Sequence, residues 1–404
     1  MIPVEEALAR IVAAMQPLPA ETVTVSDGLG RVLAEPVMAR VTQPPCAVSA
    51  MDGYAVRTED VARVPASLRR VGEAPAGGAF DGTVGPGEAV RIFTGGPVPD
   101  GADTIVIQEN TEAEGDTVTV LEPAEAGRYI RPEGLDFKKG EVGVPAGRLV
   151  TSRDVGLVAA MNVPWLKVRR RPRVAILATG DEVVMPGDPV GRNQIVGSNS
   201  LSLAAFVTAC GGESLNLGIA LDSAESLTGL AAGASGADIL VTTGGVSVGD
   251  HDLVRSAFGE RGLDLDFWKI AMRPGKPLIF GHIGGTPILG LPGNPVSAVV
   301  CAVVFLRPAI DALMGRRPDD RPPESAILGS DLGANDRRQD YLRARFSFDS
   351  EGRRVATPFE RQDSAMLAAL AHADCLVVRP PHAPAAQTGS TVEVLPLSGG
   401  VLGI

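Results

Sequence analysis

The chain is poor in aromatic residues and in positive charge, and both deficits exclude classes of partner. Phe, Trp and Tyr make up 4% of its 404 residues, which leaves no visible platform for stacking the bases of a single-stranded nucleic acid. The 37 Lys and Arg residues are outnumbered by 48 Asp and Glu, and the net charge is -11. This balance argues against nucleic acid or an anionic membrane as a partner. An anionic small molecule would have to be met by local cations, a metal ion or backbone amides.

Cysteine and histidine are also scarce. The cysteines form neither a C-x-x-C pair nor a disulfide framework. They are Cys46, Cys210, Cys301 and Cys375. Cys210 and Cys301 lie in apolar runs of helical character, so we predict that both are buried thiols. The four histidines are scattered along the chain, which gives no indication of a zinc site.

Long apolar runs are missing as well. The longest, residues 296–306, is too short to span a bilayer. The first ten residues include Glu5 and Glu6 and no basic segment before an apolar stretch, so we expect no signal peptide. These features predict a cytoplasmic protein without a membrane partner.

What the chain does contain falls into three regions of different texture. Residues 1–168 combine a short amphipathic helix with many short strand-like segments between turns, and their densest part, about 55–125, is predicted to be an insertion. Residues 169–315 alternate strands and helices. After a linker-like stretch rich in Pro, Arg and Asp, residues 325–404 return to strand-like patterns. We therefore predict an irregular β-rich N-terminal region, a central α/β domain and a small C-terminal domain resembling a β-barrel.

The alternation in the middle region is typical of a doubly wound parallel sheet. Its predicted strands are 174–178, 215–220, 238–242 and 287–291. Asn199 is predicted as the N-cap of one helix, and Asn294 as the cap of another whose first turn suits Pro295. Ligands of such sheets bind outside the carboxyl ends of the strands. The turns that follow these strands are therefore the candidate binding loops.

The most informative turn is TTGGVSVGDHD, residues 242–252. Glycines there permit positive φ and leave backbone N–H groups uncovered, which favours an anion site. The residues of this predicted cradle are Gly244, Gly245, Val246, Ser247 and Gly249. Asp250 and Asp252 at its end could hold the hard cation that a phosphate requires. The alternative is an ordinary tight turn after a strand.

Two further turns follow strands of the same predicted sheet. TGDE covers residues 179–182 and LPGNP covers residues 291–295. Each is weak alone, but three such turns at one sheet edge predict a phosphate or nucleotide pocket. The fingerprints G-x-G-x-x-G and G-x-x-x-x-G-K-[ST] are both absent from the sequence, which argues against an ordinary dinucleotide site or a P-loop.

Three cations are concentrated in DFWKIAMRPGKP, residues 266–277. Lys269, Arg273 and Lys276 could face an anion, although a lone surface lysine is usually solvated. In the first region, SAMDGYA contains Asp52 and FTGGPVPDGAD contains Thr94. An Asp-Gly pair is most often only a turn signal.

Taken together, the motifs have a specific resemblance. SAMDGYA, RIFTGGPVPDGAD, ATGDE, TTGGVSVGDHD, FWKIAMRPGKP and LPGNPVSA occur in this order. The set resembles the MoeA family of molybdopterin molybdenumtransferases and is similar to the E domain of gephyrin. The resemblance extends from the N-terminus to about residue 310 and more loosely beyond it.

The resemblance implies a fold and a reaction. Family members are elongated homodimers of four parts, with a central domain like molybdopterin adenylyltransferase and an active cleft between subunits. They insert molybdate into adenylylated molybdopterin and release AMP with Mg²⁺ present. Transient contacts with molybdopterin adenylyltransferase and with acceptor molybdenum enzymes are further implied partners.

It also implies residue roles. The expected catalytic set is Asp52, Thr94, Asp136, Glu182, Asp222, Asp252, Lys269, Arg273 and Lys276. Glu182, Asp222 and Asp252 are the expected Mg²⁺ ligands, and the cations would bind molybdate and phosphate. The expected cradle for the nucleotide end is Thr179, Gly180, Gly244, Gly245, Val246, Ser247, Gly249, Pro292, Gly293, Asn294, Pro295 and Ser364.

The sequence departs from the family pattern in three places. The glycine loop ends in Asp-His-Asp, which includes His251. Arg273 stands where some relatives have Lys, and RQDSAML, residues 361–367, replaces a glycine-bearing loop. Two alternatives stay open: a Mg²⁺-dependent nucleotide pyrophosphatase on the same α/β module, and a non-catalytic scaffold.

Overall fold

The computed structural model describes residues 1–245, 257–259, 262–316 and 324–397. The chain divides into two compact units. Unit 1 comprises Met1–Glu35, Ala146–Ser152 and Lys167–Ile404. Unit 2 comprises Pro36–Pro145 and Arg153–Leu166.

Unit 2 is built on a mixed six-stranded sheet. Its strands are β4 (Gly53–Val56), β5 (Ala66–Ala74), β6 (Glu88–Ile92), β7 (Thr104–Ile107), β8 (Thr111–Glu114) and β9 (Thr117–Val120). They are ordered β7-β4-β6-β5-β9-β8, and the β5–β6 pair is parallel. The dense short strands expected in this part of the chain are therefore present.

The sheet of unit 2 is buried on both faces near its centre. All four residues of β4 are buried, with Tyr54 and Val56 in one apolar cluster and Ala55 in another. Gly53 begins β4 where the backbones are too close for a side chain, because an added Cβ would lie 2.0 Å from the Val106 carbonyl oxygen. This packing makes the start of β4 a rigid platform.

The remaining elements of the first 170 residues are short. They are α1 (Val4–Ala14), β1 (Ala20–Thr24), β2 (Val37–Met38), β3 (Val48–Ser49), β10 (Ile130–Arg131), β11 (Val142–Val144), α2 (Ser152–Ala160) and β12 (Trp165–Arg169). Helix α1 presents Val4, Ala7 and Ile11 at helical spacing, and all three are buried in the core of unit 1.

Unit 1 contains the predicted α/β sheet. Its strands are β13 (Arg173–Thr179), β16 (Glu213–Ala220), β17 (Ile239–Thr243), β18 (Leu263–Lys269), β20 (Pro277–Ile283) and β21 (Thr286–Leu291). The order is β16-β13-β17-β21-β20-β18, in which the first four strands are parallel and the last two pairings are antiparallel. The expected parallel sheet is confirmed, and its carboxyl edge carries the turns of interest.

Helices cover both faces of this sheet. Helix α3 (Asn199–Ala209) shares one apolar cluster with α1 and α5 (Pro295–Leu313), while α4 (Ala224–Ala231) packs in a second cluster on the other face. Strands β14 (Val183–Val184) and β15 (Ile195–Val196) form a small parallel pair nearby. The arrangement is doubly wound, as predicted.

Helix α5 corrects the expectation that this apolar run is too short to span a bilayer. The helix has 19 residues, including a π-helical turn at Ala302–Leu306, and is long and apolar enough to cross a membrane by length and composition. However, 83% of its most apolar stretch is buried inside the protein. In this structure it is a core helix.

The C-terminal part is a closed barrel, as expected. Its five strands are β22 (Glu324–Leu328), β23 (Gln339–Phe348), β24 (Arg354–Pro358), β25 (Cys375–Arg379) and β26 (Thr391–Pro396). The ring closes because β23 pairs with both β24 and β25. A short helix, α6 (Leu367–Ala371), precedes β25, and β19 (Met272–Arg273) adds to β23 in parallel.

Candidate active site

The first strand-end turn joins the ends of β13 and β16. The Thr179 hydroxyl donates to Asp222 Oδ1 at 2.8 Å, and the Gly180 N–H donates to the Ala220 carbonyl at 3.2 Å. The Glu182 side chain folds back over Gly180, whose added Cβ would lie 2.6 Å from Glu182 Oε2. The structure thus brings four of the predicted residues together at one corner of the sheet.

The second turn begins with a glycine that no other residue can replace without strain. Gly244 has φ 86°, and an added Cβ would lie 2.3 Å from the Thr179 carbonyl oxygen. Gly245 also has positive φ. Four residues of this predicted cradle and metal set, namely Val246, Ser247, Gly249 and Asp252, lie outside the described residues, as do Asp250 and His251.

A single asparagine ties the second turn to the third. Asn199 Nδ2 donates to Thr243 Oγ1 at 2.9 Å and to the Gly293 carbonyl at 2.7 Å. The Thr243 hydroxyl donates in turn to the Pro292 carbonyl at 3.2 Å. The expectation that Asn199 is an N-cap is therefore wrong: Ser198 occupies that position, and the Asn199 amide bridges two strand ends instead.

The third turn leads into α5 and meets the C-terminal barrel. Asn294 is at the N-cap position, but its side chain donates to Ser364 Oγ at 2.9 Å and makes no capping bond. The Val296 N–H donates to the Ser364 carbonyl. Because Pro292 and Pro295 have no N–H, the amides that this turn can offer an anion are mainly those of Gly293 and Asn294.

The predicted cationic side chains Arg273 and Lys269 differ in the groups that they contact. Arg273 Nε donates to Asp340 Oδ1 at 2.8 Å, and Arg273 Nη2 donates to Asp340 Oδ2. Arg273 Nη1 lies 3.7 Å from Asp336 Oδ2. The Lys269 ammonium lies 3.7 Å from the centre of the Trp268 ring. The contacts of Arg273 join the loop that contains it to strand β23 of the barrel. The predicted role of Arg273 toward an anion stays a prediction.

The loop of Arg273 is also fixed from the other side. Gly275 has φ 112°, and its added Cβ would lie 2.5 Å from Cys301 Sγ in α5. Cys210, Cys301 and Cys375 are all buried, as predicted for the first two, and Cys46 is half-buried. Burial raises the pKa of the Cys375 thiol to about 12 and raises that of Cys301 as well. These thiols stay protonated at neutral pH.

One residue that the sequence analysis missed is Arg343 on β23. It is 1% exposed, and its Nη1 donates to the Asp363 carbonyl at 3.0 Å. Its Nε and Nη2 have no hydrogen-bond partner among the described residues, and burial lowers its pKa. A buried guanidinium with unpartnered N–H groups suits an oxyanion. Nothing in the local sequence distinguishes it from the chain's other arginines.

In unit 2, Asp52 and Thr94 form a close pair. Asp52 Oδ1 accepts both the Thr94 N–H and the Thr94 hydroxyl, each at 2.7 Å. These bonds, together with the charge of Arg91, hold the pKa of Asp52 below its ordinary value. Asp136 is exposed on another loop, where its N–H donates to the Gln43 carbonyl.

The donor chemistry fits Mg²⁺ only in part. Glu182 and Asp222 are exposed carboxylates at neighbouring strand ends, and such oxygen ligands suit a hard cation. Across residues 1–245, 257–259, 262–316 and 324–397, no group of three His, Cys, Asp or Glu side chains is arranged to hold a metal ion. The third expected ligand, Asp252, is outside those ranges.

Three family profiles match the chain. Residues 2–162 match the MoeA N-terminal region (domain I and II), residues 175–312 match a probable molybdopterin binding domain, and residues 325–397 match the MoeA C-terminal region (domain IV). Together they cover both units and the barrel.

Full-length relatives agree with the profiles. A molybdopterin molybdenumtransferase from Nostoc sp. is 39% identical over 322 residues, covering 78% of this chain and 74% of the relative. The molybdopterin molybdenumtransferase of Haemophilus influenzae is 33% identical over 387 residues, 95% of each chain. A crystal structure of the molybdopterin biosynthesis MoeA protein from Pyrococcus horikosii superposes with a TM-score of 0.84 at 31% identity, covering 99% of this chain and 100% of that one.

Glycine turns that converge on the carboxyl edge of a doubly wound sheet are typical of the class of proteins that bind anionic small molecules. The matches to family profiles, relatives and solved structures identify the family within this class. The chain belongs to the MoeA family of molybdopterin molybdenumtransferases, which act in molybdenum cofactor biosynthesis.

Proposed function

We propose that this enzyme inserts molybdate into adenylylated molybdopterin and releases AMP in a Mg²⁺-dependent reaction. The observation that carries the proposal is the convergence of three turns at one edge of the sheet. Thr179, Gly244 and Gly293 are brought together there by backbone packing and by the Asn199 amide. Such an edge suits the nucleotide end of an adenylylated ligand.

The oxyanion to be inserted needs positive charge that is not already neutralised. Arg343 supports this requirement, because two of its buried N–H groups lack partners in the described part of the chain. Its Nη1 bonds the residue next to Ser364, which contacts Asn294. We therefore place molybdate between the barrel loop and the start of α5, with Lys269 and Lys276 as further cations. Arg273 is held to strand β23 of the barrel through Asp340.

The acidic residues have two proposed tasks. Glu182 and Asp222, with Asp252, would hold Mg²⁺, and when bound this ion would neutralise phosphate oxygens of the adenylyl group. Asp52 and Thr94 would act at the insertion step, together with Asp136. Val246, Ser247 and Gly249 complete the proposed nucleotide cradle.

The assembly and location are proposed from the family resemblance. We infer a cytoplasmic homodimer whose active cleft lies between subunits, with transient contacts to molybdopterin adenylyltransferase and to acceptor molybdenum enzymes. Size-exclusion chromatography with light scattering would give about twice the 41.8 kDa chain mass for a dimer. A mass equal to one chain would contradict it.

The decisive experiment is AMP release by the purified protein, supplied with adenylylated molybdopterin and Mg²⁺, with and without molybdate. We expect release that depends on molybdate and is coupled to formation of active cofactor. Release that is indifferent to molybdate would favour a pyrophosphatase. A stable ligand complex without turnover would favour a scaffold.

A control variant separates the oxyanion site from the nucleotide site. Arg343→Met removes the buried charge and makes no direct change to the residues of the first two strand-end turns. We expect it to raise the molybdate concentration needed for half-maximal rate, while binding of the adenylylated ligand stays unchanged. Equal loss of both affinities would contradict separate sites.

A further inference from the structure

Arg91 lies on β6 directly opposite Tyr54 of β4. Its guanidinium is 5.1 Å from the centre of the Tyr54 ring and 4.9 Å from that of Phe93. Contacts of this kind between a cation and an aromatic face are favourable and restrict the guanidinium plane. The side chain is half-buried, so it has a defined place in the sheet and is not a free surface charge. Phe93 immediately precedes Thr94.

Arg91 donates hydrogen bonds to two residues next to Asp52. Gly53 follows Asp52 in the sequence, and Gln108 contacts the Asp52 backbone. Nη1 donates to the Gly53 carbonyl at 3.1 Å, and Nη2 donates to Gln108 Oε1 at 2.7 Å. The Gln108 N–H in turn donates to the Asp52 carbonyl at 3.1 Å. The guanidinium therefore joins β4, β6 and the residue after β7 around the Asp52 backbone.

The charge of Arg91 acts on the same carboxylate. The pKa of Asp52 is lowered mainly by the Thr94 hydrogen bonds and further by the nearby guanidinium. Both Thr94 donors use Oδ1. An ionised carboxylate held through one oxygen has its second oxygen available for a ligand or a water molecule.

We propose that Arg91 is a positioning residue for the reaction: it holds Asp52 and Thr94 in one geometry by joining Gly53, Gln108 and the Phe93 ring. The proposal rests on the proposed role of Asp52 at the insertion step. Arg91 acts through Asp52 and does not itself touch the reacting atoms. Lysine can replace it only in part, because an ammonium keeps the charge but lacks the planar fork that reaches two acceptors while contacting the rings.

A double-mutant cycle tests the coupling. The variants are Arg91→Met, Asp52→Asn and the double variant, with Arg69→Met as a control. Arg69 is on the neighbouring strand of the same sheet, 70% exposed and paired with Glu88. We expect Arg91→Met to lower kcat about tenfold or more, because the Asp52 carboxylate is misplaced. In a protein that already carries Asp52→Asn, adding Arg91→Met should lower kcat little further. Arg91→Lys should recover only part of the loss, and Arg69→Met should behave as wild type.

Additive losses would overturn the proposal, because a residue that acts through Asp52 has no effect once Asp52 is removed. An effect of Arg69→Met equal to that of Arg91→Met would overturn it too, since the sheet as a whole would then be responsible. Full recovery by Arg91→Lys would show that charge alone suffices and would contradict the positioning role.

Hydrogen exchange separates this proposal from the proposed function. In Arg91→Met, the Thr94 and Gln108 amides, which donate to Asp52, should exchange about tenfold faster, while amides of the β5–β9 pair keep their protection. Uniform acceleration or no change would overturn the positioning role. If Asp52→Asn turns over normally while these two amides still respond, the proposed role of Asp52 fails and the positioning by Arg91 stands.

Discussion

The same local arrangement occurs twice in the molecule, once in unit 2 and once in the barrel. Asp52 Oδ1 accepts the N–H and hydroxyl of Thr94, both at 2.7 Å, and Asp331 Oδ1 accepts the N–H and hydroxyl of Thr388, also at 2.7 Å each. Each threonine is followed by a glycine with positive φ, Gly95 or Gly389. In both cases a carboxylate closes a Thr-Gly turn that is distant in sequence.

The surroundings of the two pairs differ. The Arg91 guanidinium, which contacts the Tyr54 and Phe93 rings, lowers the pKa of Asp52, whereas no charged neighbour among the described residues contributes to the lowered pKa of Asp331. Asp331 follows β22 and Thr388 precedes β26, so their hydrogen bonds close a turn of the barrel. The hydrogen-bond pattern alone is therefore structural, and what distinguishes the Asp52 pair is the arginine and the rings beside it.

The largest expected difference between the two pairs is in turnover. Asp52→Ala should lower the rate of molybdate-dependent AMP release about 100-fold, within the range of an essential positioned carboxylate, with retained binding of the adenylylated ligand. Asp331→Ala should leave the rate within about twofold, since Asp331 is not among the proposed site residues and loses only a turn contact. Single-turnover kinetics of both variants is the measurement. Equal losses would show that the pair is structural in both places.

A second comparison contrasts two glycines of similar φ. Gly244 (φ 86°) and Gly236 (φ 81°) differ because an added Cβ at 244 lies 2.3 Å from the Thr179 carbonyl, while nothing lies within 4 Å at 236. Gly236→Ala should cost about 1–2 kcal/mol for the left-handed backbone. Gly244→Ala should cost about 2 kcal/mol more, because strand-end backbone must move. Urea unfolding followed by circular dichroism measures both. Equal costs would mean that the Thr179 contact is easily relieved.

A third comparison concerns the buried arginines Arg31 and Arg343. We expect substitution by Met to change the free energy of unfolding in opposite directions at the two positions. Arg31 is paired with Glu21 and donates to the Arg169 carbonyl, whereas Arg343 has unpartnered Nε and Nη2 atoms among the described residues. Arg31→Met should destabilise by about 1–2 kcal/mol. Arg343→Met should be neutral or stabilising by about 1–3 kcal/mol, because an unsatisfied buried charge is removed. Urea unfolding of the ligand-free protein compares them, and a large destabilisation by Arg343→Met would contradict an unsatisfied buried charge at this position.

The smallest expected effect is in the pH dependence of the two turns. The pKa of Asp52 and that of Asp331 are both below their ordinary value in the folded protein. Their contribution to stability is therefore present above the ordinary carboxyl pKa and is lost as pH falls through the lowered one. In Arg91→Met the Thr94 amide should lose protection at a higher pH than in wild type, while the Thr388 amide should not change. Hydrogen exchange from pH 5 downward, at about half-unit steps, measures this shift. A parallel shift at both threonines would contradict a local effect of Arg91.

Local sequence patterns were enough to predict most elements of the central domain and the kind of site at its sheet edge. Apolar periodicity identified the α/β domain and its four parallel strands, because burial on both faces of a parallel sheet leaves near-continuous apolar strands. The two antiparallel strands, β18 and β20, were not predicted. The glycine turns could be recognised because positive φ and close backbone approach restrict the residue type, as at Gly244. The β-rich character of the N-terminal region and of the C-terminal domain also followed from their short strand-like segments between turns. The order of six motifs identified the family.

Which side chains contact one another could be read only from the folded chain. Asn199 has the sequence signature of a cap, yet its amide spans Thr243 and Gly293, which lie 44 and 94 residues away. Arg273 is engaged by Asp340, and Arg343 and Arg91 have no local signature at all. Helix α5 extends to Leu313, beyond the apolar run of residues 296–306, and its added residues Ala309, Ile310 and Leu313 are buried in the same core. Propensity and turn chemistry act over a few residues, whereas these contacts join residues brought together only when the sheet, the barrel and the loops have folded.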